Sequence, residues 1–469
     1  MRIHAVTLTL ALACASQPAA ARRPAPDLGG IDRAALEELD ATHTPGAAVA
    51  VVVGDRVVYA KGFGVASVET RAPVTPDTLF AVASVTKMFT GTAAATLAER
   101  GAVRPEQPIG TYVSGLGPRT SRLTLHQLLT HTAGLVDQAP GVAHDDAGLL
   151  AGARGWKDGL FFADPGETYS YSNPGFAIAG LALQEAAKKP YADLLQELIF
   201  DPVGMKRTTF RTRMAITFPV AVGHDAGAGG RPAVLRPFPE NVLGWPNGGM
   251  ISSANDLARF AVAFMNGGMI DGRQALSPGA IARVATGHVT VPAAAGDWRY
   301  GYGARAGEVR GVRVVEHRGG TDGFGSLLRM APDAKFAVVV LGNRTLAQLD
   351  KTAETAMELF LRLGPKPAAP ARAPLPLSRD DFRRFPGAYS NGRLTFEVRA
   401  KGESLVFSAG GDEVPLVKVG ENRLAIAEAD PSDPPEVTEM LRNLIFLPND
   451  PGPAKYLNFG GRALKRASP

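Results

Sequence analysis

The sequence predicts an α+β fold, in which helices flank an antiparallel sheet and a helical lobe is inserted between its strands, followed by a small all-β, barrel-like domain. Three observations support this prediction. Strand-like runs occur near residues 47–62 and return near 312–341, whereas strand signals are sparse between them. A proline-rich stretch then ends this region. After it, short alternating runs between Gly and Asp turns are typical of antiparallel β-structure.

The elements of the first region follow from hydrophobic periodicity and turn residues. Residues 31–40 predict a helix, and the runs 47–53 and 56–62 around a Gly-Asp turn predict a β-hairpin. Further helices are expected at 84–100, 123–129, 191–199, 254–266 and 351–363, and strands at 312–317, 325–330 and 336–341. The economical assembly is one antiparallel sheet built from both ends of the region and covered by the terminal helices. A site is expected where this sheet meets the helical lobe.

The sequence divides into four segments. A signal peptide is expected at 1–21, a main domain at 30–364, a semi-rigid linker with five prolines at 365–377 and an antiparallel β domain at 378–469. About eight short strands fit into the last segment, which predicts a small barrel or sandwich. No catalytic grouping is apparent in it.

The signal peptide is predicted from Arg2, a short apolar core at 5–13 and three alanines before residue 22. This core is too short to span a bilayer, which takes about 20 residues, so a periplasmic or secreted protein without a transmembrane segment is expected. The single cysteine, Cys14, lies inside the signal, which excludes a disulfide framework. The alternative is a lipid anchor on Cys14, since residues 11–14 resemble a bacterial lipoprotein cleavage site.

Composition limits the partners. The formal net charge is +5 and no run of Lys or Arg is present, so nucleic-acid binding has little support. No His-Glu-x-x-His occurs, and His126 and His131 are five residues apart, off the helical register of a zinc site. Neither a metal nor a cofactor is expected, the partner is a small-molecule or peptide substrate, and the oligomeric state stays open.

Ser84 and Lys87 form a Ser-x-x-Lys pair at the start of a predicted helix. Their spacing stacks them on one helical face. A serine is a poor nucleophile until a base takes its proton, and a lysine can do so only when its charge is suppressed. The helix is apolar on nearly every side, and burial lowers a lysine pKa. The alternative is a helix capped by Ser84 with an exposed Lys87, because short motifs occur by chance.

Two further groups support catalysis. Tyr171 and Asn173 are two residues apart in a Pro/Gly-flanked loop, where their side chains are expected to point the same way; a tyrosine near a lysine can serve as a base, and an asparagine can donate a hydrogen bond. Residues 317–320 end a predicted strand in two glycines, which let a substrate approach and offer a free N–H to an oxyanion. No Gly-x-Ser-x-Gly occurs, which excludes an α/β-hydrolase elbow.

With these motifs in this order, the chain resembles the serine β-lactamase and penicillin-binding-protein superfamily. The match is carried by Ser84-Val-Thr-Lys87, Tyr171-Ser-Asn173 and His317-Arg-Gly319, with flanking phrases such as the one at 128–135. It is most similar to the class C branch and to related D-alanyl-D-alanine carboxypeptidases, D-aminopeptidases and esterases. The resemblance covers about residues 30–364 and implies the β-lactamase/transpeptidase-like fold. The C-terminal part is similar to a small β domain appended to some members.

The resemblance implies a role for each motif residue. Ser84 would be the acylated nucleophile, and Lys87 and Tyr171 would share the base work. Asn173 would hold Lys87 and the substrate amide. The N–H groups of Ser84 and Gly320 would form the oxyanion hole.

The third motif departs from the β-lactamases. They usually carry Lys-Thr-Gly where this chain has His317-Arg318-Gly319. The resemblance implies that His317, Arg318 and Gly319 contact the substrate. Histidine is a weaker cation at neutral pH, which puts recognition of an antibiotic carboxylate in doubt. Arg318 either binds a substrate carboxylate bidentately or points into solvent.

The predicted function is a secreted serine hydrolase that cleaves an amide or ester through an acyl-enzyme on Ser84, of peptidase, carboxypeptidase or esterase type. A true class C-like β-lactamase is the alternative within this class. A catalytically silent binding protein on the same fold is the alternative from another class, and the joint retention of Ser84, Lys87, Tyr171 and Asn173 argues against it.

Overall fold

The structure, a computed structural model, describes residues 26–467 except 239, 293–295, 367–373, 410–412, 429–437, 439 and 448–451. The predicted signal peptide with Cys14 and the greater part of the predicted linker lie outside the described residues. Among the described residues, no helix is both long and apolar enough to cross a bilayer.

The helices lie mostly before residue 361. They are α1 (Gly29–Ala41), α2 (Thr86–Glu99), α3 (Leu125–Leu129), α4 (Gly148–Trp156), α5 (Asn173–Ala187), α6 (Tyr191–Leu195), α7 (Asp201–Val203), α8 (Thr212–Ala215), α9 (Trp245–Gly248), α10 (Ala254–Met265), α11 (Pro278–Ala285), α12 (Asp350–Phe360) and α13 (Asp381–Arg384).

The strands form one large sheet, one barrel and three short pairs. Up to residue 342 they are β1 (Gly46–Val53), β2 (Arg56–Gly64), β3 (Phe80–Ala81), β4 (His224–Ala226), β5 (Pro232–Val234), β6 (Ile251–Ser252), β7 (Met269–Ile270), β8 (Arg273–Gln274), β9 (Val289–Thr290), β10 (Arg299–Tyr300), β11 (Arg305–Val309), β12 (Val312–Thr321), β13 (Phe324–Ala331) and β14 (Phe336–Gly342). The barrel strands are β15 (Gly387–Ser390), β16 (Thr395–Lys401), β17 (Ser404–Ser408), β18 (Glu413–Gly420), β19 (Arg423–Ile426), β20 (Leu444–Leu447), β21 (Tyr456–Phe459) and β22 (Arg462–Arg466).

The large sheet is antiparallel, in the order β2-β1-β14-β13-β12-β11-β10-β9. It is built from both ends of the domain, as predicted, because β1 pairs with β14 in the register Val49↔Val340. β1 is apolar at every position since both of its faces are covered. Ala48, Ala50 and Val52 face the helical lobe, and the alternate residues face α1 and α12. The predicted α+β fold is thus confirmed.

The C-terminal strands close into an eight-stranded antiparallel barrel, the first of the two architectures predicted for them. Alternate apolar side chains fill its interior, among them Phe396, Val398 and Leu457. The hairpin β21–β22 turns through Gly460 and Gly461, both with positive φ, which suits glycine in a two-residue turn. This turn lies against the main domain, where the Tyr171 N–H donates to the Gly461 carbonyl at 2.9 Å.

Several elements of the main domain were not predicted from the sequence, among them α5 and the strands β9, β10 and β11. The sequence places Tyr171 and Asn173 in an extended loop, whereas α5 begins at Asn173, where the Ser172 hydroxyl accepts the Gly175 N–H at 3.2 Å. α5 is buried and apolar around its circumference, so it lacks the amphipathic period by which helices are detected. The strands β9, β10 and β11 are short and partly polar, which hides their alternation.

Candidate active site

Ser84 lies at the entrance to α2. A 3-10 turn over Ala83–Val85 leads directly into α2 and places Ser84 one helical turn before Lys87. Every residue of α2 from Thr86 to Leu97 is buried, so the lysine has no path to water along its own helix. Lys87 itself is fully buried. The alternative of a capping serine with an exposed lysine therefore does not hold.

Hydrogen bonds bring the predicted residues of the first two motifs together. Lys87 Nζ lies 3.0 Å from Ser84 Oγ, 2.7 Å from Asn173 Oδ1 and 2.6 Å from the carbonyl oxygen of Asn247. The hydroxyl of Tyr171 lies 2.9 Å from Ser84 Oγ. The serine oxygen is thus held between an amine and a phenol.

Burial decides how the protons are shared among these groups. It holds the pKa of Lys87 well below its ordinary value and raises the pKa of Tyr171. Both shifts favour a neutral amine beside a neutral phenol over an ammonium beside a phenolate. A neutral amine has two N–H donors and one lone pair, which matches two acceptors, on Asn173 and Asn247, and one hydroxyl, on Ser84. The lone pair then faces the serine proton.

Asn173 is fixed by the start of α5. Its backbone N–H donates to Asp137 Oδ1 at 2.8 Å, and its side chain accepts from Lys87. The loop before it is pinned by His131, whose Nδ1 accepts the Ser172 N–H at 3.0 Å and whose ring lies 4.2 Å from that of Tyr171. His131 thus holds this loop in place beside Tyr171.

His317 lies at the site as a neutral ring. Its Nδ1 lies 2.6 Å from the carbonyl oxygen of Arg318 and must donate, so its Nε2, 2.9 Å from Tyr300 Oη, accepts the phenol proton. Burial, with the nearby Lys87, lowers the pKa of His317 to about 3. The sequence suggested a weak cation here, and that expectation is corrected: both nitrogens are engaged and the ring is uncharged at neutral pH.

Arg318 is not brought to the site. Successive strand residues point to opposite faces, and Arg318 faces α12, where it contacts Gln348 and forms an ion pair with Asp350 at 2.6 Å. It also lies 3.9 Å from the buried Glu316. The predicted contact between Arg318 and a substrate carboxylate has no support in this placement, and neither has the alternative of a solvated arginine.

The end of β12 offers an open edge beside Ser84. β11 pairs with β12 only as far as Glu316, whereas β13 pairs with it up to Thr321, so in the described structure residues 317–321 have one strand neighbour. A Cβ on Gly319 would lie 2.3 Å from the Val82 carbonyl oxygen and 3.1 Å from the Ser84 nitrogen, so only glycine lets the strand approach so closely. Gly320 follows and is exposed.

A cleft of about 450 Å³ opens beside Asn173. Its wall combines apolar surface, from Trp156 and Leu243, with the amides of Asn241 and Asn247 and with Arg393 of the barrel. Within the described residues, no group of three or more His, Cys, Asp or Glu side chains could hold a metal ion. The cleft thus adjoins Asn173 and Asn247, the two residues whose oxygens lie on Lys87.

Sequence reasoning missed four residues of this site: Asn247, Tyr300, Asp137 and Arg462. The sequence of the barrel shows no catalytic grouping, yet Arg462 Nε lies 2.8 Å from Asp137 Oδ2 and its guanidinium lies 4.9 Å from the Tyr171 ring. The Gly-Gly turn before Arg462 was the one available signal, since it predicts a projecting hairpin. Nothing local marks the other three.

Comparison with known proteins agrees with this geometry. A sequence model of the family described as Beta-lactamase matches residues 31–361. The chain belongs to the beta-lactamase family. Its members are serine hydrolases of this fold, and the resemblance stated from the motifs is thereby confirmed.

Individual relatives of this family member differ in how much of the chain they share. The unguisins hydrolase ungD of Aspergillus violaceofuscus is 28% identical over 353 residues, or 68% of this chain, which spans 61% of that protein. A class C beta lactamase from Rhodobacter sphaeroides is 26% identical with a TM-score of 0.57, covering 70% of this chain and 99% of its own. The crystal structure of SurE, 24% identical, has a TM-score of 0.76 over 94% of this chain and 99% of its own, so its fold extends over the barrel as well.

Proposed function

We propose that this beta-lactamase family member hydrolyses an ester or amide through an acyl-enzyme on Ser84, with Lys87 as the base. The observation that carries the proposal is the buried contact between Lys87 Nζ and Ser84 Oγ, with a phenol on the other side of the oxygen. A neutral lysine at hydrogen-bond distance can accept the serine proton as the hydroxyl attacks.

The reaction would proceed in two halves. Ser84 Oγ bonds to the carbonyl carbon while its proton passes to Lys87, and the oxyanion lies against the N–H groups of Ser84 and Gly320. The bond to the leaving group then breaks, and the leaving group takes a proton from the Lys87 ammonium through the Tyr171 hydroxyl. Water next attacks the ester and gives its proton to Lys87, which returns it to Ser84 Oγ.

The third motif favours substrates without a carboxylate on its side of the serine. His317 is neutral and Arg318 faces the other side of the sheet, so the cation that Lys-Thr-Gly would present is missing. A charged hydrogen bond of this kind is worth about 1.5–3 kcal/mol, or roughly 10–150-fold. Short-chain ester or D-amino-acid amide hydrolysis should therefore exceed cephalosporin hydrolysis in kcat/KM by at least about tenfold.

A hydrolysis panel on one preparation at one pH tests the proposal. It comprises p-nitrophenyl acetate and butyrate, D-Ala-p-nitroanilide, a D-Ala-D-Ala peptide and nitrocefin. The variant Ser84→Ala should lose about 10⁴-fold or more in kcat with an unchanged melting temperature, because the covalent route disappears. Residual activity within about tenfold of wild type would exclude Ser84 as the nucleophile.

The panel also separates the alternatives. Nitrocefin turned over faster than p-nitrophenyl acetate would favour the class C-like β-lactamase. Absence of labelling by a fluorescent fluorophosphonate would favour the silent binding protein. Secretion, with cleavage after residue 21, belongs to the same proposal and is read from the N-terminal sequence of the exported protein.

A further inference from the structure

The barrel reaches the loop that carries Tyr171. The turn between β21 and β22 places the Gly461 carbonyl on the Tyr171 N–H at 2.9 Å, and the Ala463 N–H donates to the Ser170 hydroxyl at 3.1 Å. Between these two bonds stands Arg462. The turn and the start of β22 thus brace the loop that carries Tyr171 and leads into α5.

The guanidinium of Arg462 forms an ion pair with Asp137. Its Nε and Nη2 lie 2.8 and 2.6 Å from the same Asp137 oxygen, and its Nη1 donates to the Gly460 carbonyl at 2.8 Å. The other oxygen of Asp137 accepts the Asn173 N–H. One carboxylate therefore joins the barrel to the residue that holds Lys87.

We propose that Arg462, acting through Asp137, is a positioning residue that holds Asn173 and neutralises the carboxylate beside Lys87, so that the barrel keeps the base uncharged. The inference rests on the proposed role of Lys87. Asp137 suits the start of α5, where backbone N–H groups lack helical partners. Its negative charge, however, would also attract a proton to the neighbouring amine.

The charges around Lys87 support this role. Beyond burial, Asp137 raises and Arg462 lowers the pKa of Lys87, so the two largely oppose each other. The other titratable groups here are Tyr171, His131 and His317, and burial keeps all three neutral near pH 7. The balance at the base thus depends on the barrel arginine.

The test uses the full chain and three variants: Arg462→Gln, Asp137→Asn and the double variant. A second ion pair between barrel and main domain, Lys455 with Glu167, provides the matched control Lys455→Gln. The substrate is p-nitrophenyl acetate, which has no carboxylate, and the rate of fluorophosphonate labelling reports the reactivity of Ser84 Oγ as a nucleophile. Melting temperature and near-UV circular dichroism report folding.

Arg462→Gln should lower kcat at pH 7 by about 10- to 100-fold with little change in KM, because a misplaced or protonated base acts on the chemical step. The acid limb of its pH profile, where the rate falls as Lys87 becomes protonated, should move to higher pH. The reason is that the negative charge of Asp137 is no longer balanced by Arg462. Asp137→Asn should move the limb to lower pH. The double variant should return the limb to within about half a pH unit of wild type, as expected for coupled sites.

A contribution to docking alone predicts something different. It predicts that Arg462→Gln behaves like Lys455→Gln, with a lower melting temperature, an unmoved pH limb and no recovery in the double variant; this would overturn the proposal. A rise in KM alone, seen only on substrates with a free carboxylate, would make Arg462 a substrate-binding residue and would also overturn the proposal. Failure of the wild type to be labelled at Ser84 would instead refute the proposed function.

If Arg462→Gln does not fold, Arg462→Lys and Asp137→Asn decide the question. A lysine keeps the charge, so the pH limb of Arg462→Lys should stay near that of wild type even where kcat falls. A limb that moves in Arg462→Lys as far as it moves in Asp137→Asn, in either direction, would contradict charge neutralisation.

Discussion

The division of work between Lys87 and Tyr171 can be tested by comparing Tyr171→Phe with Lys87→Met. In the neutral arrangement, the tyrosine only donates a hydrogen bond to Ser84 Oγ, at 2.9 Å. Such a bond contributes about 0.5–1.5 kcal/mol, so its loss should lower kcat/KM roughly 2- to 10-fold. Loss of the base should cost about 10²–10⁴-fold.

The assay should use two leaving groups. p-Nitrophenolate departs without a proton, so p-nitrophenyl acetate reports the base alone. An anilide nitrogen needs a proton, so on D-Ala-p-nitroanilide Tyr171→Phe should lose about 10²-fold more, as expected for a lost proton donor. Lys87→Met should lower the rate severely on both substrates. The melting profile of each variant, compared with that of wild type, shows whether its fold is intact.

One result would refute this reasoning. If Tyr171→Phe falls as far as Lys87→Met on p-nitrophenyl acetate, the tyrosine takes part in deprotonating Ser84, and the ammonium–phenolate pair is the working state. The two residues would then titrate as a unit, and neither pKa could be assigned to one of them.

Three further outcomes are expected. Because burial lowers the pKa of Lys87, kcat/KM should fall as the pH drops through an apparent pKa below about 10.4. No second step is expected near pH 6.5 from His317, because the pKa of His317 is about 3. A flat profile from about pH 5 to 10 in stable protein would contradict this. Arg318→Thr should leave ester hydrolysis within about twofold of wild type, since the partners of Arg318 lie on the far face of the sheet. A rise in KM of about tenfold or more would show that Arg318 binds substrate. Tyr300→Phe should leave the buried His317 Nε2 without a donor and lower the unfolding free energy in urea by about 1–3 kcal/mol, and an unchanged urea midpoint would disprove that bond.

Much of the fold could be predicted from the chain because the signals are local. β-Branched runs around a Gly-Asp turn predict the hairpin at 47–62, and the observed strands β1 and β2 have nearly the same bounds. The last helix, α12, has a clear amphipathic period. In contrast, α5 is buried all round, so no polar face marks its period.

The sequence also determined the pairing of Ser84 with Lys87, since a spacing of three residues across the 3-10 turn and the start of α2 sets the distance between them. It could indicate that Tyr171 and Asn173 belong to the same site only through resemblance, because 84 residues separate Lys87 from Tyr171. The structure brings them within hydrogen-bond distance of the Ser84–Lys87 pair.

Tertiary structure alone decided the charges of the site. Whether His317 is a cation depends on its burial and on the nearby Lys87, and the direction of Arg318 depends on which face of β12 its position occupies; a strand pattern leaves both open. The partnership of Asp137 with Arg462 spans two domains and 325 residues. Its energy comes from the attraction and the hydrogen bonds between opposite charges that meet only after both domains have folded, so no stretch of the chain encodes it by itself.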